Sequence, residues 1–443
     1  MKKVLALAAI LAVFTVVSFA DDLSIKNLKT YGEGSIIGLY ENDDYAAGKG
    51  QMYSNVYSQL LLGVSFDLNK NVQGAVAVGY ESWWGENGLD GKSAIKTPAP
   101  SNNNVNNDLN NGQGFFNQLR IVEANLTLNK FLDINGLKVK VGRQFYGDED
   151  SAIMYLGVRH YHAEKTPLPI FLGLTNNKIT SIDALTGYYE KGNVKADAIY
   201  GVVANPDVIG GGGGGKGAAF SKSIAILGAK LKYSGLMKKK VNVEAYVYEL
   251  DNANLIPGSV IQSEGYGIYG IKPEVNIDDL KASLEIAQNY GAKTGGIYYV
   301  SNMIKLDASY NLNKFKLNTR GAYVLIGGHD ENYNMDKTFY NAGNYRPGLI
   351  FGNEYFIIGN NQKIINLGAD YKLKKYMFSL DYYNDSQRDG STVFGEEVDL
   401  FVKYKYAENV EVFLGIGHMF TEDGFNGNQD ISKGLLGITY KIM

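Results

Sequence analysis

The feature that most restricts the fold of this chain is a long series of hairpins in which apolar and polar residues alternate. Residues 396–420 show the pattern most clearly. Their apolar set is Val398, Leu400, Val402, Tyr404 and Tyr406, followed beyond a short turn by Val410, Val412, Leu414 and Ile416. Because successive side chains of a strand point to opposite faces, such a hairpin has one apolar and one mostly polar face.

The same alternation recurs along the chain and predicts 18 strands. Most of them have the roughly 9–11 residues that a tilted strand needs to cross a bilayer. The predicted strands lie near 29–40, 53–68, 72–84, 115–128, 137–146, 180–190, 194–204, 222–233, 241–250, 264–274, 280–288, 297–310, 315–326, 362–373, 376–384, 397–406, 410–420 and 433–442.

The connections between these strands differ in length according to their position in the series. Even-to-odd connections are mostly short and polar, as at 69–71, 191–193, 311–314, 374–375 and 407–409. Odd-to-even connections tend to be long, at 85–114, 147–179, 205–221, 327–361 and 421–432. A soluble β-sandwich has no reason to sort its loops in this way, whereas an outer-membrane barrel has short periplasmic turns and long outer loops. The predicted fold is therefore all-β, a transmembrane antiparallel β-barrel of about 18 strands over residues 21–443.

Residues 1–20 have the pattern of a secretory signal peptide. Lys2 and Lys3 precede an apolar run over 4–17, and small residues at Ser18 and Ala20 fit a cleavage site. The run is shorter than the roughly 20 residues of a membrane-spanning helix. We therefore expect export through the inner membrane and localisation in the cell outer membrane.

Composition excludes several classes of site. The chain has no cysteine, which rules out disulfides and thiolate metal ligands. Loss of Lys2 and Lys3 would change the formal net charge from −3 to −5, and this balance argues against nucleic-acid binding. The 33 tyrosines suit both an aromatic girdle at the membrane interface and a wet barrel lumen.

The loop over 147–179 combines charged residues with an apolar stretch at 167–174. Its charged members include Arg159, Glu164 and Lys165. Apolar residues in an outer loop are better placed against protein than in water. Our hypothesis is that this loop folds into the barrel and narrows the pore, and packing over the rim is the alternative.

Several short motifs resemble the alginate-export family of outer-membrane barrels. They are Val141-Gly142-Arg143-Gln144, Tyr146-Gly147-Asp148, Ile182-Asp183-Ala184, residues 395–400 and Gly415-Ile416-Gly417-His418. The resemblance covers roughly 137–443 and implies an 18-stranded porin-like channel. Alginate is a polyanion, for which members are expected to line the lumen with arginine. This chain has six arginines, and its predicted lumen mixes lysines with carboxylates.

The residues predicted to line the pore or contact solute come from the wall and from loop 147–179. Strict alternation places Arg143 with Val139 and Val141 on the apolar face, but a lipid-exposed arginine is costly, so an inward orientation is favoured. The full set is Lys138, Lys140, Arg143, Arg159, Glu164, Lys165, Asp183, Lys305, Arg320, Asp399 and Lys403.

These observations predict a porin for passive diffusion of small hydrophilic solutes, with anionic solutes and saccharides as candidates. The alternative is a surface adhesin or a structural barrel with an occluded lumen. An enzyme is disfavoured because no Gly-x-Ser-x-Gly motif occurs, and His160 with His162 lacks a third metal ligand. We expect no catalytic residue, metal or other cofactor. The expected partners are outer-membrane lipid and lipopolysaccharide, the barrel insertion machinery and the solutes, with the protein a monomer or trimer.

Overall fold

The computed structural model is a closed antiparallel β-barrel with 18 wall strands, as the sequence predicts. It describes residues 25–43, 51–84, 119–149, 151–158, 179–204, 223–253, 264–293, 297–328, 335–336, 339, 348–350, 361–422 and 430–442. The predicted signal peptide lies outside these ranges.

All the strands of the described residues are numbered here in chain order. The wall strands are β1 Lys26–Asp43, β2 Gln51–Asn69, β3 Val72–Trp84, β4 Leu119–Asn129, β5 Leu137–Gln144, β8 Ser181–Lys191, β9 Val194–Ala204, β10 Ser223–Leu236, β11 Val241–Ala253, β12 Glu264–Ile277, β13 Leu280–Lys293, β15 Asn302–Leu312, β16 Leu317–Ile326, β18 Gln362–Leu373, β19 Tyr376–Gln387, β20 Val393–Ala407, β21 Val410–Thr421 and β22 Ile431–Ile442. Four short strands lie between them: β6 Tyr146–Gly147, β7 Tyr155–Leu156, β14 Ile297–Tyr299 and β17 Met335–Asp336.

Each wall strand pairs antiparallel with the next one along the chain, and β1 also pairs with β22. That last pairing, with Ile36 opposite Ile438, closes the sheet. Closure leaves no unpaired wall edge, which is what a sheet surrounded by lipid requires. Pro273 lies inside β12, where the register toward β13 skips from Ile271 to Glu274, consistent with the missing N–H of proline.

The two ends of the barrel differ in their connections. At one end the turns are short, such as 192–193, 278–279, 374–375 and 408–409, or are single 3-10 turns at Phe131–Asp133, Met237–Lys239 and Asn313–Phe315. Gly192 adopts φ 61° in one of these turns, a conformation that glycine tolerates. The long connections are all at the other end, as the sequence predicts. Within the described ranges no helix is long and apolar enough to cross a membrane.

The outward face of the wall is apolar and exposed. Leu185, Leu227, Leu367, Leu380 and Leu436 each leave more than half of their surface uncovered. The opposite face points into the barrel and carries most of the buried polar and charged side chains. The alternation seen in the sequence thus separates a lipid-facing surface from an inner one.

The inside of the barrel is packed with protein toward the long-loop end. Inward residues of the wall, such as Ile182, Ile199, Ile226 and Ile268, are buried in one apolar cluster. The cluster also contains Met154 and Leu156 from the connection after β5 and Ile350 from the connection after β16. Two connections therefore enter the barrel.

Candidate functional site

The candidate site is the lumen, and a row of lysines and carboxylates lines its wall from β9 to β15. Strand register places these side chains on one face. Each lysine lies close to a carboxylate: Lys230 Nζ is 3.6 Å from Asp197 Oδ2, Lys232 Nζ is 2.7 Å from Glu274 Oε2, Lys272 Nζ is 3.7 Å from Glu274 Oε1, and Lys305 pairs with Asp307. Opposite charges therefore compensate one another along this wall.

Tyrosine hydroxyls hold several of the inward carboxylates, a feature that the sequence analysis missed. The donors and acceptors are Tyr31 Oη to Glu123 Oε2 (2.6 Å), Tyr57 Oη to Glu81 Oε1 (2.9 Å), Tyr146 Oη to Asp197 Oδ1 (2.5 Å) and Tyr246 Oη to Glu285 Oε1 (2.9 Å). Glu81, Glu123 and Glu285 are at most 7% exposed, so these hydrogen bonds offset part of the cost of burying them. The large number of tyrosines in the sequence, 33, was the signal from which these contacts could have been predicted.

Residues 145–149 and 151–158, the N-terminal inner segment, lie inside the barrel. Lys230 Nζ on β10 is 2.6 Å from Asp148 Oδ2, and Ile153 and Met154 are buried. The first part of loop 147–179 thus lies where our hypothesis puts it. Residues 159–178, with the predicted contacts Arg159, Glu164 and Lys165, lie outside the described residues, so that part stays a prediction.

Residues 348–350, the C-terminal inner segment, lie against β20. Leu349 N–H donates to Asp399 Oδ2 at 2.8 Å, and Ile350 N–H donates to Glu397 Oε1 at 2.7 Å. Both carboxylates are 1% exposed. Asp399 therefore lies on the inward face as predicted, but it contacts this segment and is covered by protein.

Arg320 lies on the inward face of β16 between two carboxylates. Its Nη2 is 2.5 Å from Asp381 Oδ2, and its Nη1 pairs with Asp370. Asp381 is 1% exposed, and Asn366 and Ser379 add hydrogen bonds to the two aspartates. The predicted solute contact Arg320 is therefore part of a compact ion network.

Four of the predicted pore residues are inward-facing lysines that keep some contact with the lumen: Lys138, Lys140, Lys305 and Lys403. Lys138 is exposed, whereas Lys140, Lys305 and Lys403 are half-buried. Lys140 Nζ lies 3.7 Å from Glu123 Oε1. It also lines a polar cavity of about 420 Å³ near the short-turn end, together with Lys29, Asp67, Gln73, Asn125 and Thr127 among others.

Arg143 and Asp183 lie on the outward face, so their predicted inward placement is wrong. Arg143 on β5 is opposite Asp183 on β8. On the neighbouring strands, Ala124 is opposite Arg143 and Val202 is opposite Asp183. Val202 is exposed on the outside of the barrel, so the whole row faces outward. Arg143 Nε and Nη2 donate to the two Asp183 oxygens at 2.8 Å each. This two-point pairing compensates the arginine charge locally, and the inward turn that we favoured is unnecessary.

In the described part of the chain, no group of three His, Asp or Glu side chains is arranged to hold a metal ion. His418 lies on the lipid-facing side of β21, with Nδ1 2.8 Å from Ser432 Oγ and Nε2 3.9 Å from Asp430 Oδ2. His160 and His162 lie outside the described residues. What the arrangement offers is hydrogen bonds and compensated charges along a lumen.

Solved structures of porins share this architecture over nearly the whole chain. A BenF-like porin from Pseudomonas fluorescens Pf-5 matches with a TM-score of 0.58 and 9% identity, covering 94% of this chain and 98% of that one. Pseudomonas aeruginosa OpdQ matches at 0.56 and 12%, covering 94% and 97%. Pseudomonas aeruginosa OccK11 (OpdR) matches at 0.54 and 11%, covering 93% and 96%.

At such low identity these matches establish the barrel fold. No family model and no curated protein matches the chain.

Proposed function

We propose that the chain is an outer-membrane porin that passes small hydrophilic solutes down their gradient. The observation that carries this proposal is a closed wall whose outer face is apolar and whose inner face is polar and charged toward the short turns. Lipid solvates the first, and a water-filled path needs the second. The short turns would lie in the periplasm and the long connections outside the cell.

The inner surface favours weak ion selectivity. Lysines and carboxylates pair along β9–β15, and Arg320 is shared by Asp370 and Asp381. A path for a polyanion such as alginate would need a continuous excess of positive charge, so the resemblance to alginate-export barrels does not extend to this substrate. Small neutral or singly charged solutes, including saccharides, suit a wall of this kind.

An occluded barrel whose outer loops bind a partner is the second candidate. One observation favours it: the two inner segments meet wall residues in a single buried apolar cluster. A channel requires an open path beside that cluster, whereas a structural barrel or adhesin does not.

Conductance in a planar bilayer separates the two functions. A porin gives steady open steps from purified, refolded protein, and it admits sugars to liposomes in a swelling assay. An adhesin is silent in both assays while folded. It would keep its partner when inward lysines such as Lys138 and Lys403 are replaced, and lose it when an outer loop is removed.

A further inference from the structure

The C-terminal inner segment is attached to the wall by two consecutive backbone amides. Leu349 N–H donates to Asp399 Oδ2 at 2.8 Å and Ile350 N–H to Glu397 Oε1 at 2.7 Å. The two acceptors are two residues apart on β20 and therefore share its inward face. Gly348 has φ 73°, and a Cβ at this position would collide with the Glu397 carboxylate. The backbone of the segment thus lies directly against the carboxylate side chains of the wall.

The apolar side chains of this segment point to two different clusters. Leu349 packs with inward residues of the wall such as Phe401, Phe413 and Leu435. Ile350 belongs to the larger cluster that also holds Met154 and Leu156 of the N-terminal inner segment. Leu349 is 1% and Ile350 0% exposed. The segment therefore joins the wall to the other protein inside the barrel.

Burial of Glu397 and Asp399 is unusual for a lumen that carries water. Two carboxylates on one strand face repel each other, and removing them from water costs free energy unless donors replace the water. Here the segment supplies N–H donors to both carboxylates. Lys433 on β22, which is 2% exposed, lies on the same inward row as Asp399 and is separated from it by one strand, β21. Because they are covered, these carboxylates cannot filter ions by direct contact.

We propose that Glu397 and Asp399 are positioning residues that hold residues 348–350 against the wall and thereby set the width of the channel. The effect on channel width rests on the proposed porin function. The position of residues 348–350 can be measured without any transport. To hold the segment, the side chains at 397 and 399 must offer oxygen atoms that accept hydrogen bonds from the Leu349 and Ile350 N–H groups. A negative charge on these side chains is not required.

Thiol labelling tests the position of the segment directly. The chain has no cysteine, so Ile350→Cys is a unique probe, and we expect it to react slowly with a maleimide in folded protein. Adding Glu397→Ala should speed labelling, because Ile350 N–H loses its acceptor. Glu397→Gln keeps an oxygen acceptor and should label as slowly as the parent. Glu411→Ala, on the inward face of β21 near the short-turn end, is the matched control and should change nothing.

A reversible crosslink tests the effect on width. A Cβ at Gly417 would lie 3.3 Å from the Leu349 Cβ, close to the roughly 3.5–4.5 Å found across disulfides. Asp399 Oδ1 would be 2.5 Å from that Cβ, so Leu349→Cys and Gly417→Cys are combined with Asp399→Ala. Reduction should raise the single-channel conductance and the size of the largest polymer that enters the channel. Oxidation should lower both again.

The outcomes separate this proposal from the porin function. The role of Glu397 and Asp399 would be overturned if Glu397→Ala and Glu411→Ala labelled at equal rates. It would also be overturned if the conductance of the crosslinked channel were the same under reducing and oxidising conditions. Faster labelling in Glu397→Ala from a barrel that never conducts would support their positioning role and contradict the porin function.

Discussion

Arg143 and Asp183 form a two-point ion pair on the outward face of the barrel. Arg143 and Asp183 lie near the long-loop end of β5 and β8, with side chains 32% and 51% exposed. An unpaired arginine costs about 2–4 kcal/mol at the bilayer midplane and about 0–1 kcal/mol near the interface. Pairing and position both reduce that cost. Strict alternation of faces places Arg143 correctly, because its partner Asp183 lowers the cost of an outward arginine.

Replacing this pair should affect stability and leave transport unchanged. A double-mutant cycle with Arg143→Ala and Asp183→Ala should give a coupling free energy of about 0.5–1 kcal/mol in urea unfolding, the upper part of the range for exposed pairs. The reversal potential of the double variant should equal that of the parent, because both side chains face outward. Lys138→Ala, an inward change on β5, is the control and should shift it toward cations. A shift with Arg143→Ala as large as with Lys138→Ala would contradict the outward placement.

At the scale of elements, the sequence predicted the strands well because their determinants are local. Period-2 alternation, the polar turns and the sorting of connection lengths all act within a hairpin, and even the proline-containing β12 forms. Faces were harder to predict near the long-loop end. There Ile182 points inward and Leu185 outward, and both are apolar because the inner segments make that part of the interior dry. Whether a connection enters the barrel depends on such distant contacts.

The N-terminal inner segment should loosen when one hydroxyl is removed. Tyr146→Phe deletes the donor to Asp197 at a cost of about 1 kcal/mol, typical of one hydrogen bond. Hydrogen exchange of the amides at 151–158 should therefore become faster, while that of the wall strands stays unchanged. Tyr189→Phe, an outward change on β8, is the matched control. Unchanged exchange in Tyr146→Phe would show that apolar packing alone holds this segment.

Loop 147–179 carries the main prediction that still rests on the sequence. If its later part lines the constriction, Arg159→Ala with Lys165→Ala should shift the reversal potential toward cations, because two positive charges leave the path. Glu164→Gln should shift it the other way. Removing residues 159–175 should raise single-channel conductance. An unchanged conductance in the deletion would place that part of the loop away from the path.

At the scale of the whole molecule, the fold was predictable and the lumen was not. The 18 strands follow from hydropathy. Two of the lysine–carboxylate pairs, Lys272 with Glu274 and Lys305 with Asp307, join residues two apart on one strand. The pairs of Lys230 with Asp197 and of Lys232 with Glu274 depend instead on the register between strands, which hydropathy does not give. The inward contacts of residues 348–350 have no sequence signature either. A chain of near-neutral net charge can still arrange its charges in many ways, and the observed arrangement compensates them locally.

The central claim is that this barrel conducts, and single-channel recording of purified, refolded protein in a salt gradient tests it most directly. We expect steady open steps with a small reversal potential, since lysines and carboxylates are paired along the inner wall. A folded protein that gives no steps would contradict the account, and the occluded barrel with binding loops would then be the better description.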